Sequence, residues 1–184
     1  MHRLLIRWHM LVAAFLFPAI LLYLLTGALY TWGAKGEYVT IDYAVTLSAP
    51  LTEDKAAMQA LVVEELAARN LAPPTGAASV KPAGDSFQID WTGSNRDVTL
   101  EPGEAAGTAK LTVKDTGWHR FFVQLHKAKG GTPFKIYAVV VALGLFFLVT
   151  SGLIVALKVP TMRRGAIVGS AVGLAAFVGI AATS

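Results

Sequence analysis

Three stretches without a single charge frame this chain, at residues 10–34, 136–157 and 165–184. They are 25, 22 and 20 residues long, and roughly 20 apolar residues suffice to cross a bilayer core. The first two are dense in Leu, Val, Ile and Phe, whereas the third (AIVGSAVGLAAFVGIAA) rests on Ala and Gly. Three transmembrane helices are therefore expected. The first stretch far exceeds the ~7–15 apolar residues of a signal peptide. Trp32 also occupies the −3 position of the best cleavage candidate, Ala34. It is read as an uncleaved anchor.

Between the first two stretches the pattern changes. Thr52 is placed to cap a helix, with Glu53 and Asp54 in its first turn. Ala57, Leu61, Val62 and Leu66 recur every three to four residues and give it one buried face through about Asn70. Pro73-Pro74 and Gly76 end it. Four β-type runs follow at 78–81, 86–91, 96–100 and 108–113, separated by Pro82-Ala83-Gly84-Asp85, Thr92-Gly93-Ser94-Asn95 and Pro102-Gly103-Glu104. The pattern predicts a small α+β domain, one helix on a three- or four-stranded antiparallel meander. Asp115 or Thr116 then caps a helix whose apolar stripe is Trp118, Phe121, Phe122 and Leu125, an amphipathic element suited to a membrane interface. Gly130-Gly131-Thr132-Pro133 re-aims the chain into the second span. The divisions are 1–34 (start and first span), 35–114 (domain), 115–133 (interfacial helix), 134–158 (second span), 159–164 (loop) and 165–184 (third span).

Charge adds direction. The net +4 divides into +2 over 1–34, −1 over 35–135 and +3 over 136–184. Arg3 and Arg7 precede the first span, and Lys158, Arg163 and Arg164 fill the expected loop between the second and third. Lys and Arg beside spans favour the cytoplasmic side, so the domain and the C-terminus are expected outside. Trp8, Tyr30, Trp32 and Tyr137 fall near span ends, where amphipathic rings sit. A basic excess of this kind belongs to membrane loops rather than nucleic-acid binding. The chain has no cysteine, which removes disulfides, thiolate metal sites and a cysteine nucleophile.

The order of these elements resembles a known family. A basic His/Trp element (His2-Arg3 … Arg7-Trp8-His9) leads into a span ending Leu25-Thr26-Gly27. The domain is followed by Leu125-His126-Lys127, a Gly pair, and a span ending Thr150-Ser151-Gly152. This resembles the PepSY-associated transmembrane family of bacterial inner-membrane proteins, over essentially the whole chain. Stretches 21–32 and 146–157 also resemble each other, with Thr26-Gly27 aligned on Ser151-Gly152. The resemblance implies a periplasmic PepSY-like domain, a module also found in propeptides of thermolysin-type proteases. It also implies an iron-uptake or respiratory context. Some larger members bind haem through membrane histidines and reduce ferric siderophores. This chain has one such domain, three spans, and no flavin or nicotinamide domain.

The chemistry-bearing residues are few. His2 and His9, and His119 and His126, form two pairs seven residues apart, each on one helical face about 10.5 Å along the axis. Neutral imidazole is a common axial haem ligand. Haem b on His9 and His126, which align with the family motifs, with His2 and His119 behind them, is one reading. Interfacial anchoring is the other, since most of a bilayer separates His9 from His126 and one helical face cannot sandwich a haem. Gly165, Gly169 and Gly173 make a flat stripe on the third span where another helix approaches closely. Gly27 and Gly152, with Gly144 and Ser151, offer an opposing face within this chain. The other candidate is a partner subunit or a second copy. No metalloprotease, nucleophile-elbow, phosphate-loop or dinucleotide signature occurs. No charge lies inside a span, so no proton relay or ion path is indicated. The sequence reads as a non-catalytic accessory subunit or assembly factor of a bacterial inner-membrane complex, surrounded by membrane lipid. The alternative is a haem b-binding electron-transfer partner of a ferric-siderophore reductase system.

Overall fold

The computed structural model describes residues 2–183; the side chain of His2 lies outside the described part. Three helices are long and apolar enough to cross a membrane: α1 (His2–Thr31), α4 (Thr132–Lys158) and α5 (Pro160–Ala181). The other elements are β1 (Tyr38–Thr46), α2 (Lys55–Ala67), β2 (Ala78–Ala83), β3 (Ser86–Trp91), β4 (Arg96–Pro102), β5 (Thr108–Thr116) and α3 (Trp118–His126). The chain divides into two compact units. One holds α1 as far as Ile20 and the chain from Val139 onward. The other runs from Leu21 to Ala138.

In the second unit, five antiparallel strands form one sheet in the order β1-β5-β4-β3-β2. The expected meander is β2 to β5, and β1 is an additional strand on its β5 edge. The sequence of β1, Tyr38-Val39-Thr40-Ile41-Asp42-Tyr43-Ala44-Val45, alternates with the period of two that a one-sided strand requires. Val45, Leu111, Val113, Val98, Leu100 and Ile89 face α2, which buries Met58, Val62 and Leu66 against them. Val62 and Leu66 are buried as expected and Leu61 packs beside them, while at the start of the stripe Met58 takes the place expected of Ala57, which is exposed.

The start of α2 differs too. Asp54, not Thr52, is the cap: its carboxylate accepts from the Ala56 and Ala57 amides at 2.8 and 3.4 Å. A carboxylate one residue before the helix reaches both free amides and meets the positive end of the helix dipole. Regular helix ends at Ala67. Asn70 (φ 56°) closes it in the left-handed region while the Leu71 amide donates to the Leu66 carbonyl at 2.9 Å.

The opposite face of the sheet is polar. Asp42 accepts from Thr112 (2.7 Å) and pairs with Lys110 (3.1 Å), and Asp90 accepts from Lys81 (2.7 Å) and Thr99 (3.2 Å).

Two expected boundaries move. Asp115 and Thr116 still belong to β5, with Asp115 gripped by Arg96 at 2.6 and 3.0 Å, so α3 starts after Gly117 without a side-chain cap. The expected loop at 159–164 shrinks to Val159 alone, extended at φ −92° and ψ 113°. Pro160 disfavours helical backbone at the residue before it and suits the first position of a new helix. Arg163 and Arg164 therefore lie on α5 itself.

Candidate functional site

Two of the four histidines meet a hydroxyl–glycine pair, one in each unit. In the second unit, His126 at the end of α3 places Nδ1 2.8 Å from the Thr26 hydroxyl of α1. That hydroxyl also donates to the Leu22 carbonyl one turn back, at 2.6 Å. A threonine has one hydroxyl proton, so the contact with His126 has the ring donating from Nδ1. In the neutral ring, donor counting thus leaves Nε2 with the lone pair. Gly27 supplies the room: a Cβ there would stand 3.2 Å from His126 Cε1. Tyr23 closes the other side edge-on, with ring centroids 5.0 Å apart.

The first unit repeats the recipe. His9 of α1 has Nδ1 2.9 Å from the Ser151 hydroxyl of α4, and Ser151 donates to the Leu148 carbonyl at 3.2 Å. Gly152 again lies beneath the ring, with His9 Cε1 3.5 Å from a Cβ placed there. Thr26 is 5% and Ser151 2% exposed, so each hydroxyl is sealed in its joint. Sequence spacing pairs His9 with His2 and His126 with His119. The structure instead pairs each with a distant hydroxyl, from the two motifs that align with each other. His119 stands against Trp118 with its Nε2 buried and unpartnered.

The glycines divide the same way. Gly27 and Gly152 receive imidazole rings, and Gly144 receives Leu16. The small-residue face they were expected to offer the third span is therefore occupied by side chains of their own units. Around Gly165, Gly169 and Gly173 a Cβ would meet nothing within 4 Å, and no described residue of α5 is buried.

What holds His126 in place is a polar network that the sequence did not flag. Gln124, fully buried on α3, donates to Asp97 and to the Tyr38 hydroxyl, each at 3.0 Å. Tyr38 donates to the same Asp97 oxygen at 2.7 Å, and Lys129 reaches it at 3.4 Å. The other Asp97 oxygen accepts the Gly93 amide at 3.0 Å. Arg120 lies over the Tyr38 ring at 4.4 Å and donates to its hydroxyl at 3.0 Å. Gln124 and Arg120 of α3, Lys129 just after it and Gly93 of the turn before β4 thus converge on the Asp97 carboxylate of β4 and the Tyr38 phenol of β1. A lone Gln between Val123 and Leu125 on an amphipathic helix was the one readable sign.

Titration follows from this geometry. Burial, then donation to Asp97, raises the Tyr38 phenol above its usual range, with Arg120 opposing. A raised phenol favours the neutral form in the folded domain. Its contribution is complete below about pH 10, the ordinary tyrosine value, and fades as pH rises through the folded one. Bonding to Thr112 and then Lys110 holds Asp42 below the usual carboxylate range, so its contribution fades as pH falls below about 4. Urea midpoints of the chain should therefore drop at both ends of the pH scale. Tyr38→Phe should remove most of the alkaline drop and leave the acid one.

Among the described residues no group of three or more His, Asp or Glu side chains gathers as a metal site. The family model described as the PepSY-associated TM region matches residues 3–179. No curated protein and no solved structure matches the chain. The match spans all three apolar helices, the α+β domain and both histidine joints, and the chain belongs to the PepSY-associated transmembrane family.

Proposed function

We propose that this membrane protein is a non-catalytic accessory subunit or assembly factor of a bacterial inner-membrane complex, acting through contacts made by α5. The α+β domain faces the periplasm on this reading, since the Lys and Arg residues beside the spans favour the cytoplasm. The observation that carries it is the state of α5. Twenty-two residues of apolar helix bury none of their described side chains in this chain, and the Gly165, Gly169 and Gly173 face is open. Small residues four apart let a second helix approach to backbone contact, a common mode of helix association in lipid. Iron uptake or respiratory-chain assembly is the context the family suggests. Tagged chain isolated from native membranes in mild detergent should bring a second polypeptide with it. Gly165→Leu/Gly169→Leu/Gly173→Leu should lose that polypeptide without loss of the chain itself, because each new side chain enters open space. Wild-type chain eluting alone and monodisperse contradicts the proposal.

The histidine joints favour a second reading, a haem b-binding electron-transfer partner of a ferric-siderophore reductase. His9 and His126 fit an axial role: Nδ1 is held by a hydroxyl and Nε2 keeps its lone pair, the outer-shell pattern of ligating histidines. His119 fits less well, because its Nε2 is enclosed. Bound haem would supply one-electron transfer, and the chain's own contribution is to fix each imidazole's tautomer and angle. The same preparation should then show a Soret band that His9→Ala or His126→Ala removes. A preparation that stays colourless after haem is added eliminates this reading.

A further inference from the structure

The last turn of α1 carries Tyr30, and two lysines converge on its ring. Lys35 Nζ lies 5.5 Å from the ring centroid and Lys127 Nζ 5.7 Å. The ion pairs among the described residues use Arg69, Lys81, Arg96, Lys110 and Lys129, so neither lysine has a carboxylate partner. Two like charges drawn to one aromatic ring repel each other, and an anion bridging them removes that repulsion. Their position specifies the anion's source. Trp32, 90% exposed, follows α1 directly, and Trp118, 80% exposed, opens α3. Exposed indoles at the end of an apolar helix mark the headgroup level of a bilayer. Below Tyr30, Leu25 and Leu29 are exposed along α1 and offer a track for an acyl chain.

Lys35 also lines a cavity of about 600 Å³ formed by Gly33–Glu37 and Gly117–Arg120. The Lys35 ammonium, the Arg120 guanidinium and the His119 imidazole all belong to residues of that lining. Glu37 is the one carboxylate on that lining, against Lys35 and Arg120. We propose that Lys35, Lys127 and Tyr30 form a binding site for the phosphate of an anionic membrane lipid, with its headgroup in the adjoining cavity. The proposal rests on α1 crossing a bilayer and is independent of what α5 contacts.

Native mass spectrometry of the purified full chain tests it, with dioleoylphosphatidylglycerol and dioleoylphosphatidylcholine as probes. Wild type should retain the phosphatidylglycerol roughly tenfold better, as expected for two basic groups on one headgroup. Lys35→Ala/Lys127→Ala should fall to the phosphatidylcholine level. Lys81→Ala, which loses only a lysine paired with Asp90, should behave as wild type. Both lysines are exposed, so the double variant should keep the wild-type thermal midpoint. Equal retention of the two lipids, or undiminished phosphatidylglycerol binding by the double variant, overturns the site. Displacement of the lipid by millimolar inorganic phosphate would assign the lysines to a free anion and overturn the lipid source. Partner capture through α5 is read with different variants, so either inference can fail alone.

Discussion

Asp97→Ala should destabilise the domain by about 3 kcal/mol, the cost of emptying the centre of a largely buried charged network. Four donors lose an acceptor together: the Tyr38 hydroxyl, Gln124 Nε2, Lys129 Nζ and the Gly93 amide. Gln124 has no exposed surface, so water cannot replace what it loses. Asp97 is 16% exposed at its side chain, which keeps the loss below that of a fully enclosed ion pair. For a domain of this size each kcal/mol moves the thermal midpoint by roughly 4–8 °C. Asp97→Asn should fall about midway, because its carbonyl can still accept while its amide faces donors. The loss should extend to α3, detected as faster hydrogen exchange at Val123, Gln124 and His126 than in wild type. Unchanged exchange there would mean that the network does not dock α3 on the sheet.

Gly27→Leu carries the second large expectation. Its side chain must enter the space of the His126 ring, so the ring leaves Thr26 and the Nδ1 hydrogen bond is lost. Overpacking costs typically 1–3 kcal/mol, and the lost bond adds about 1 kcal/mol. Gly27→Ala should be milder, because a shift of a few tenths of an ångström relieves its 3.2 Å approach to Cε1. Gly152→Ala should be nearly silent, since 3.5 Å to His9 is ordinary contact. Thermal midpoints give the order, and imidazole nitrogen shifts of His126 report whether Nε2 keeps its lone pair. A tautomer unchanged in Gly27→Leu would show that Thr26 does not set it.

The part of this fold carried by local pattern could be read from residues alone. Charge-free runs of 20 or more residues mark α1, α4 and α5 because a bilayer imposes a length. Alternation and turn residues mark β2 to β5 because hairpins are local. The first strand was passed over although Val39, Ile41, Tyr43 and Val45 alternate, because its partner β5 lies some 70 residues away and no turn joins them. Helix starts moved by one or two residues: at Asp54 a carboxylate nearer the helix takes the amides expected of Thr52, and at Gly117 because Asp115 and Thr116 are held in β5 by Arg96 and by the Ser94 and Asn95 carbonyls.

The site was legible to a smaller degree. Thr26-Gly27, Ser151-Gly152, His9 and His126 all stood out as motifs, yet their pairing is a tertiary fact. Helical spacing joined His126 to His119, seven residues away, while the fold joins it to Thr26, 100 residues away. Asp97 reads only as one position of the β-type run 96–100 and acts as a hub, because Tyr38 arrives from β1 and Gln124 and Lys129 from α3 and the turn after it.

The claim that matters most is that the small-residue face of α5 meets another protein helix. A photo-crosslinking amino acid at Ala176, on the same helical face as Gly165, Gly169 and Gly173, tests it in native membranes. The matched control is Val178, about half a turn away on the opposite face. A discrete protein adduct is expected from Ala176 and only lipid adducts from Val178. Lipid adducts alone from both positions would contradict it.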